Sequence, residues 1–294
     1  MTISDVGVVG AGPAGLAAAI QLRRSGINPV VFEKGEPGGL LRNAGCVENY
    51  PGFPDGIPGE TLVELVRLQA ERHGVAILNA AATEMDFQAG DFRIDSGAGE
   101  WRFRRVIVAS GTKPKRFDFE IPAILDDKVH YEIASLLRES GKTMVIVGGG
   151  DAAYDYALTL AENNTVYILT RSDGVRCLPR LQTRVDTHSR IVRVARVTVL
   201  GASPEADGMA VRCRGAMGPV QFRADRLIGA IGRVPNLDFL APGLIPMIPE
   251  LVKDGRLYFV GDVQNGAFRQ TAIAAGDGLA AAMDIHRRMM AERA

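Results

Sequence analysis

Cysteine is scarce in this chain of 294 residues, which has three. Cys46, Cys177 and Cys213 are odd in number and lie too far apart to form a C-x-x-C motif. Disulfide frameworks use even numbers of cysteines and thiolate metal sites use close pairs, so the pattern argues against both. The scarcity is typical of a reducing compartment and predicts a cytoplasmic protein.

Charge of one sign and long hydrophobic runs are also missing. The chain has 34 basic and 34 acidic residues, and no basic stripe marks a nucleic-acid surface. The apolar stretch at 240–252 is interrupted by three prolines and is too short to cross a bilayer. No positively charged segment precedes an apolar one at the N-terminus, so we expect no signal peptide. These absences predict a soluble protein whose partners include neither nucleic acid nor a membrane.

Glycine, in contrast, is abundant, and it marks an internal repeat. Residues 6–33 align without a gap on residues 144–171, which places Gly10 on Gly148 and Gly12 on Gly150. Each segment reads as an apolar strand, a glycine-rich turn, a helix rich in alanine and leucine, and a second apolar strand. The repeat predicts an α/β fold with two Rossmann-like dinucleotide-binding domains.

The first glycine-rich turn has the flanks that a dinucleotide site requires. GAGPAG at 10–15 follows a strand and opens a helix, where backbone N–H groups and the helix dipole favour a pyrophosphate. Glu33 ends the next strand, where a carboxylate can accept hydrogen bonds from ribose hydroxyls. The alternative is a tight strand–helix turn beside a surface glutamate.

The second turn, GGGDAA at 148–153, has Arg171 at the position that Glu33 occupies in the first. Arg176 follows five residues later. A guanidinium suits a ribose that carries a 2′-phosphate, which a carboxylate would repel. The second unit is therefore predicted to bind NADP; the alternative is a pair of solvated surface arginines.

Five segments of the chain carry a family resemblance: GPAGLAAAIQL, GGLLRNAGCVENYPGFPDGIPG (38–59), VIVASGT (106–112), VIVGGGDAA and VGDVQNGAFRQTAIAAGDGLAAA (260–282). Together they resemble the low-molecular-weight thioredoxin reductase family. The resemblance covers nearly the whole chain in order. It implies a homodimer, an FAD-binding domain made of residues 1–116 and 240–294, and an NAD(P)H-binding domain, residues 117–239, inserted into it.

The resemblance also implies which residues contact each cofactor, with no catalytic side chain and no metal. For FAD these are Gly10, Gly12, Pro13, Ala14, Gly15, Glu33, Lys34, Gly39, Leu40, Asn49, Gly111, Gly261, Asp262, Arg269, Gln270, Thr271 and Ala272. For NADPH, with NADH as the alternative, they are Gly148, Gly150, Asp151, Ala152, Arg171, Arg176 and Gly232.

The chain departs from the family where a C-x-x-C pair is expected. Glu132 and Ser135 stand there, in a segment expected to link the two domains, and neither side chain can exchange electrons as a dithiol does. VHY (129–131), followed by an expected charged helix and by VIVGGGD, resembles more closely the ferredoxin–NADP reductases of thioredoxin-reductase type. That branch, however, has a C-terminal aromatic extension, and His-Arg-Arg where residues 170–172 read TRS.

The function predicted from these observations is an FAD-dependent oxidoreductase. It would take hydride from NAD(P)H and pass electrons from the flavin directly to an external acceptor such as ferredoxin, flavodoxin or a small molecule. Three alternatives stay open: a flavoprotein oxidase or disulfide oxidoreductase that acts directly on a small substrate and has a non-functional NAD(P)H site, a diflavin electron carrier, and a non-enzymatic redox-sensing or interaction protein. His130 as a proton donor is weighed against a structural role, which is commoner for a lone histidine.

Overall fold

Apolar strands and helices alternate along the chain in two units, which the computed structural model describes for residues 3–294. One unit holds the chain up to Arg42, Cys46–Lys113 and Pro235–Ala294; the other holds Asn43–Gly45 and Pro114–Val234. The second unit is thus an insertion within the first, and the predicted fold of two Rossmann-like domains is confirmed.

Residues 3–114 contain seven strands and two helices. In order these are β1 (Ile3–Val9), α1 (Pro13–Arg24), β2 (Val30–Glu33), α2 (Gly59–Arg72), β3 (Ala76–Asn79), β4 (Ala82–Gln88), β5 (Asp91–Ser96), β6 (Gly99–Val108) and β7 (Thr112–Pro114).

The middle part follows as β8 (Val129–His130), β9 (Thr143–Val147), α3 (Asp151–Leu160), β10 (Thr165–Leu169), α4 (Pro179–Asp186), β11 (Ile191–Val194), β12 (Thr198–Glu205), β13 (Gly208–Gly215), β14 (Gly218–Ala224) and β15 (Arg226–Gly229). The last elements are β16 (Arg233–Pro235), α5 (Ile248–Lys253), β17 (Leu257–Phe259) and α6 (Thr271–Arg293). Strands β7 and β16 pair as a two-stranded sheet.

Each unit is built on a parallel sheet whose carboxyl edge receives the glycine-rich turn. The first sheet has the order β3-β2-β1-β6-β5-β4, with β17 also paired to β6, and is antiparallel only through β4, β5 and β6. The second has the order β11-β10-β9-β15-β8 and is parallel throughout. Strands β12, β13 and β14 form a separate antiparallel sheet. Ligands of open parallel sheets bind at the carboxyl ends of the strands.

Small residues let helices α1 and α6 approach closely over the first sheet. A side chain at Gly278 would overlap the backbone oxygen of Ala14, and one at Gly261 would lie 2.9 Å from its Cβ. Ala14 and Ala18 are buried in the core between these helices and β1. The crossing fixes the start of α1, and with it the first glycine-rich turn.

Candidate functional site

The first glycine-rich turn leaves backbone donors open to a ligand. Gly10 has φ +105° and lies against the carbonyl of Ala109, so no other residue fits there without strain. Nothing lies within 4 Å of a Cβ placed on Gly12. Helix α1 starts at Pro13 with no side-chain cap, so its first N–H groups remain available to an anion.

Glu33 joins this turn to the segment after β2. Its Oε2 accepts a hydrogen bond from Ala11 N at 2.8 Å, and its Oε1 accepts one from Gly35 N at 3.0 Å. A carboxylate has about four acceptor positions. The two backbone bonds fix its orientation and leave acceptor capacity for ribose hydroxyls.

Two predicted flavin neighbours, 221 positions apart in the chain, meet in the structure. Asn49 Nδ2 donates to Gln270 Oε1 at 2.8 Å. Arg269, next to Gln270, holds a buried Nε with no acceptor among residues 3–294. An orphaned buried donor is costly, so this nitrogen fits a ligand with acceptor atoms. These features and the open turn suit FAD.

The remaining predicted FAD residues lie on the same unit. Pro13, Ala14 and Gly15 form the first turn of α1, and Thr271 and Ala272 begin α6 directly after Gln270. Gly39 and Leu40 start a 3-10 turn, Gly39–Asn43, while Gly261 and Asp262 start another, Gly261–Val263. Lys34 is exposed beyond β2, and the space around Gly111 is open.

The second glycine-rich turn repeats the first in detail. Gly148 has φ +154° and a side chain on it would overlap the carbonyl of Ala230. The space over Gly150 is open, and α3 starts without a side-chain cap. Asp151 Oδ1 accepts a hydrogen bond from Leu178 N at 2.8 Å, which ties the following loop to this helix end.

That loop brings one predicted arginine against the glycine turn. Arg176 N donates to Gly149 O at 3.1 Å, and Arg176 forms an isolated bridge with Gly150. Arg171 is the second residue after the end of β10. Both side chains are exposed, and neither has an ion-pair partner among residues 3–294. The pair of open guanidinium groups beside an uncapped helix end fits a phosphorylated dinucleotide.

The segment after Tyr131 lies within the second unit and does not form the charged helix expected there. It follows β8 and contains a single 3-10 turn, Ala134–Leu136. Ile133 and Leu136 are buried in the core under α3, which explains why the segment does not run free as a linker. Asn43 Oδ1 accepts hydrogen bonds from Ile133 N and Ala134 N, both at 2.9 Å.

Glu132 occupies the first expected cysteine position in this segment. Its carboxylate pairs with Arg233 at 2.9 Å. Arg233 follows Gly232, which has φ +107°. Among the residues described, the three cysteines are free: Cys46 exposed, Cys177 half-buried and Cys213 buried. Burial raises the pKa of Cys177, and that of Cys213 to about 11, so both favour the unreactive thiol.

His130 is held in β8, where its Nε2 is buried without a partner among residues 3–294. Burial first, and then the Arg226 guanidinium, lowers the pKa of His130, which favours the neutral ring at physiological pH.

Sequence reasoning missed three residues of these sites. Asp277 Oδ2 accepts hydrogen bonds from Gly261 N at 3.0 Å and Asn265 Nδ2 at 2.6 Å, holding the turn that carries Asp262. The sequence signal for Asp277 is its position in AAGDG (274–278), part of a segment that carries the family resemblance. Asn43 and Arg233 had none, because their partners are distant in sequence.

Within residues 3–294, no helix has the length and apolar character needed to cross a membrane. The same residues contain no cluster of three or more histidine, cysteine or acidic side chains arranged for a metal ion.

Comparison with known proteins agrees with this arrangement. The chain is 31% identical to NADPH-dependent thioredoxin reductase 3 of Arabidopsis thaliana over 97% of its own length, but spans 58% of that protein. It is 28% identical to thioredoxin reductase of Chlamydia trachomatis, with 98% and 99% of the two chains covered. The crystal structure of Lactococcus lactis thioredoxin reductase matches with TM-score 0.85 and 24% identity, covering 97% and 98% of the two chains.

The predicted cofactors, FAD and NADPH, are those that members of the thioredoxin reductase family bind. The model of the family described as pyridine nucleotide-disulphide oxidoreductase matches residues 4–278. The two glycine-rich turns, their order in the chain and this match lead to one conclusion: the chain belongs to the pyridine nucleotide-disulphide oxidoreductase family and is thioredoxin reductase-like.

Proposed function

We propose that this protein takes hydride from NADPH onto FAD and passes the electrons directly to an external acceptor, without a redox-active cysteine pair. The observation that carries the proposal is the segment where a dithiol is expected. Glu132 stands there in an ion pair with Arg233, and Ser135 stands at the second position. No disulfide can form in that segment, so the electrons need another route out.

The first glycine-rich turn and its neighbours are proposed to hold FAD. Backbone donors at Gly12 and the start of α1 bind the pyrophosphate, and Glu33 accepts from the ribose. Asn49, Arg269 and Gln270 approach the ring from two distant parts of the chain. When bound, FAD supplies the hydride acceptor and the electron donor; the protein supplies position and a fixed set of donors.

The second turn is proposed to hold NADPH through Gly148, Gly150, Asp151, Ala152 and Gly232. Arg171 and Arg176 contact the 2′-phosphate, since both guanidinium groups are exposed and unpaired among residues 3–294. Ser172 stands where the family has a further arginine, so the two remaining arginines carry this contact.

The domain bounds proposed are 1–116 with 240–294 for the FAD-binding domain and 117–239 for the NADPH-binding domain.

A cytoplasmic homodimer is proposed, in keeping with the free cysteines. We propose that a second copy of the chain packs on the exposed face of α6, where Leu279, Met283 and Met290 are 40%, 60% and 42% exposed at helical spacing.

The electron acceptor is proposed to be ferredoxin, flavodoxin or a small molecule. Thioredoxin, which the names of the relatives suggest, is the second candidate.

An anaerobic titration of the flavin-loaded protein with NADPH, and separately with NADH, tests this function. Loss of oxidised-flavin absorbance at stoichiometric NADPH, with NADH needed in at least tenfold excess, is the expected result. Arg176→Gln should remove most of that preference, while Arg223→Gln, on β14, should leave it unchanged. If neither nucleotide bleaches the flavin, the proposed function is wrong and the middle domain has another role.

A further inference from the structure

Glu132 and Arg233 lie at the same edge of the second sheet as the glycine-rich turn. Strands β8 and β15 are parallel neighbours, with Leu227 opposite Val129 and Ile228 opposite His130. Glu132 comes two residues after the end of β8, and Arg233 follows β15 after a short turn. Both residues are therefore at the carboxyl edge, where a dinucleotide lies across such a sheet.

The chain leaving β15 passes directly against the glycine-rich turn. Ala230 N donates to Val147 O at 2.9 Å, and the carbonyl of Ala230 fills the space that a Gly148 side chain would need. Gly232 then turns the chain with φ +107°, and Arg233 begins β16. In the sheet, β8 lies two strands away from β9, with β15 between them, which is a distance of roughly 10 Å. The turn after β9 is the one proposed to hold the pyrophosphate, so β8 lies towards the opposite end of a bound dinucleotide.

The ion pair between Glu132 and Arg233 is partly buried beside α3. Arg233 is 17% exposed and Glu132 is 45% exposed, with 2.9 Å between the guanidinium and Glu132 Oε1. Tyr156, on α3, is buried, which raises its pKa to about 12; the Arg233 charge opposes this shift and the Glu132 charge adds to it. The charges of Glu132 and Arg233 therefore affect the pKa of a side chain on α3, the helix that follows the second glycine-rich turn.

The chemistry of the pair selects one part of a nicotinamide dinucleotide. A guanidinium has five donors and a carboxylate has about four acceptor positions, so together they offer a donor and an acceptor side by side. The carboxylate repels phosphate, and the pair is neutral overall. A primary carboxamide, with one carbonyl oxygen and one NH₂ group, matches both.

We propose that the Glu132–Arg233 pair binds the carboxamide of the nicotinamide ring. Arg233 donates to the carboxamide oxygen, and Glu132 accepts from its NH₂ group. The inference rests on the proposed NADPH function of the middle domain and names the residues that position the ring end of the nucleotide. The segment that contains Glu132 would then position the nicotinamide ring, where the related family has a dithiol.

Binding of two ligands to the flavin-loaded protein, measured by calorimetry, tests the assignment. NADP⁺ has the nicotinamide ring, and 2′-phospho-ADP-ribose lacks it. Arg233→Met and Glu132→Ala should each raise the Kd for NADP⁺ about tenfold and leave the Kd for 2′-phospho-ADP-ribose unchanged. The 3-acetylpyridine analogue of NADP⁺ keeps the carbonyl but has no NH₂ group, so only Arg233→Met should weaken its binding.

The pair between Glu139 and Arg226 provides a matched control. Arg226 begins β15 at the opposite edge of the same sheet and pairs with Glu139 at 2.7 Å. Glu139→Ala removes this ion pair at the start of β15 and should leave the ratio of the two Kd values unchanged. Thermal melting identifies variants that fail to fold, and the double variant Glu132→Ala/Arg233→Met then replaces the failed one.

Equal weakening of both ligands, or no weakening of either, overturns the carboxamide assignment while the wild-type protein still binds NADP⁺. If wild-type protein binds neither ligand, the proposed function fails and the inference fails with it. The two failures are therefore distinguishable from wild-type binding alone.

Discussion

At the scale of single residues, Glu33 shows how one side chain serves both the fold and the site. Its two oxygens hold the backbone of Ala11 and Gly35, so the carboxylate is oriented before any ligand arrives. Prior orientation lowers the entropy cost of binding. The sequence predicts a role for the same residue, because it ends the strand that follows a glycine-rich turn.

Replacing Glu33 with glutamine should weaken FAD binding about tenfold, because hydrogen bonds to a charged acceptor are worth about 1.5–3 kcal/mol. The glutamine NH₂ group would also face a backbone N–H that the carboxylate now satisfies. Flavin fluorescence during titration of the apoprotein measures the Kd. Glu71→Gln, an exposed carboxylate on α2, is the control. An unchanged Kd for Glu33→Gln would remove Glu33 from the site.

A second residue-scale prediction concerns Asp284 and pH. Burial raises the pKa of Asp284, but hydrogen bonds from Arg287, Tyr258 and Arg288 outweigh burial and lower it from 3.8 to about 2. A carboxyl with a lowered pKa in the folded state stabilises that state above its unfolded pKa, and the effect is lost as the pH falls from 3.8 to about 2.

Asp284→Asn should therefore lower the free energy of unfolding by about 1 kcal/mol at neutral pH and by progressively less below pH 4. Urea unfolding at several pH values measures this difference. Asp207→Asn, in the turn between β12 and β13, should show no comparable dependence. A destabilisation of Asp284→Asn that stays constant with pH would contradict the assigned network.

At the scale of elements, the crossing of α1 and α6 is the contact that positions the first glycine-rich turn. Gly278 lies against the backbone of Ala14, with Ala18 N at 3.1 Å from any added Cβ. Protein interiors are close-packed, so an added methyl group there must displace one helix from the other.

Two helical glycines two positions apart make this testable, because their surroundings differ. Gly278→Ala should destabilise the protein by about 1–3 kcal/mol through overpacking. Gly276→Ala, where nothing lies within 4 Å, should stabilise it by about 1 kcal/mol through helix propensity. Chemical denaturation measures both. Destabilisation by Gly276→Ala equal to that by Gly278→Ala would show that the crossing is not the cause.

The elements that the sequence predicted well are those with local signals. The two strand–turn–helix–strand repeats are found as β1-α1-β2 and β9-α3-β10, because glycine turns and apolar periodicity are written within about 30 residues. The charged helix expected after Tyr131 is absent from the described residues. Ile133 and Leu136 are drawn into the core under α3, and tertiary packing overrides helix propensity there.

At the scale of the whole molecule, the candidate sites depend on contacts between distant parts of the chain. Asn49 and Gln270 were associated only through the family resemblance, since no local pattern joins positions 221 apart. The pairing of Glu132 with Arg233, 101 positions apart, was missed for the same reason. The spacing of residue types along the sequence predicts which residues are neighbours within one helix or strand. It does not predict which loops, distant in sequence, meet at the same edge of a sheet.

The proposed homodimer gives a prediction at this scale. Met283→Glu should convert a dimer to a monomer, because it places a charge in the centre of the apolar face of α6. Light scattering coupled to size exclusion measures the mass. Met217→Glu, in the turn between β13 and β14, changes an equally apolar but isolated exposed residue and should leave the mass unchanged. A monomeric wild-type protein would contradict the proposed interface.

The central claim is that electrons leave from FAD without passing through cysteines, and an electron count tests it most directly. Anaerobic reduction of the flavin-loaded protein with dithionite, followed by absorbance, gives the electrons taken up per FAD. The account predicts two, the capacity of the flavin alone. Four electrons per FAD would reveal a disulfide reduced alongside the flavin and would contradict the account.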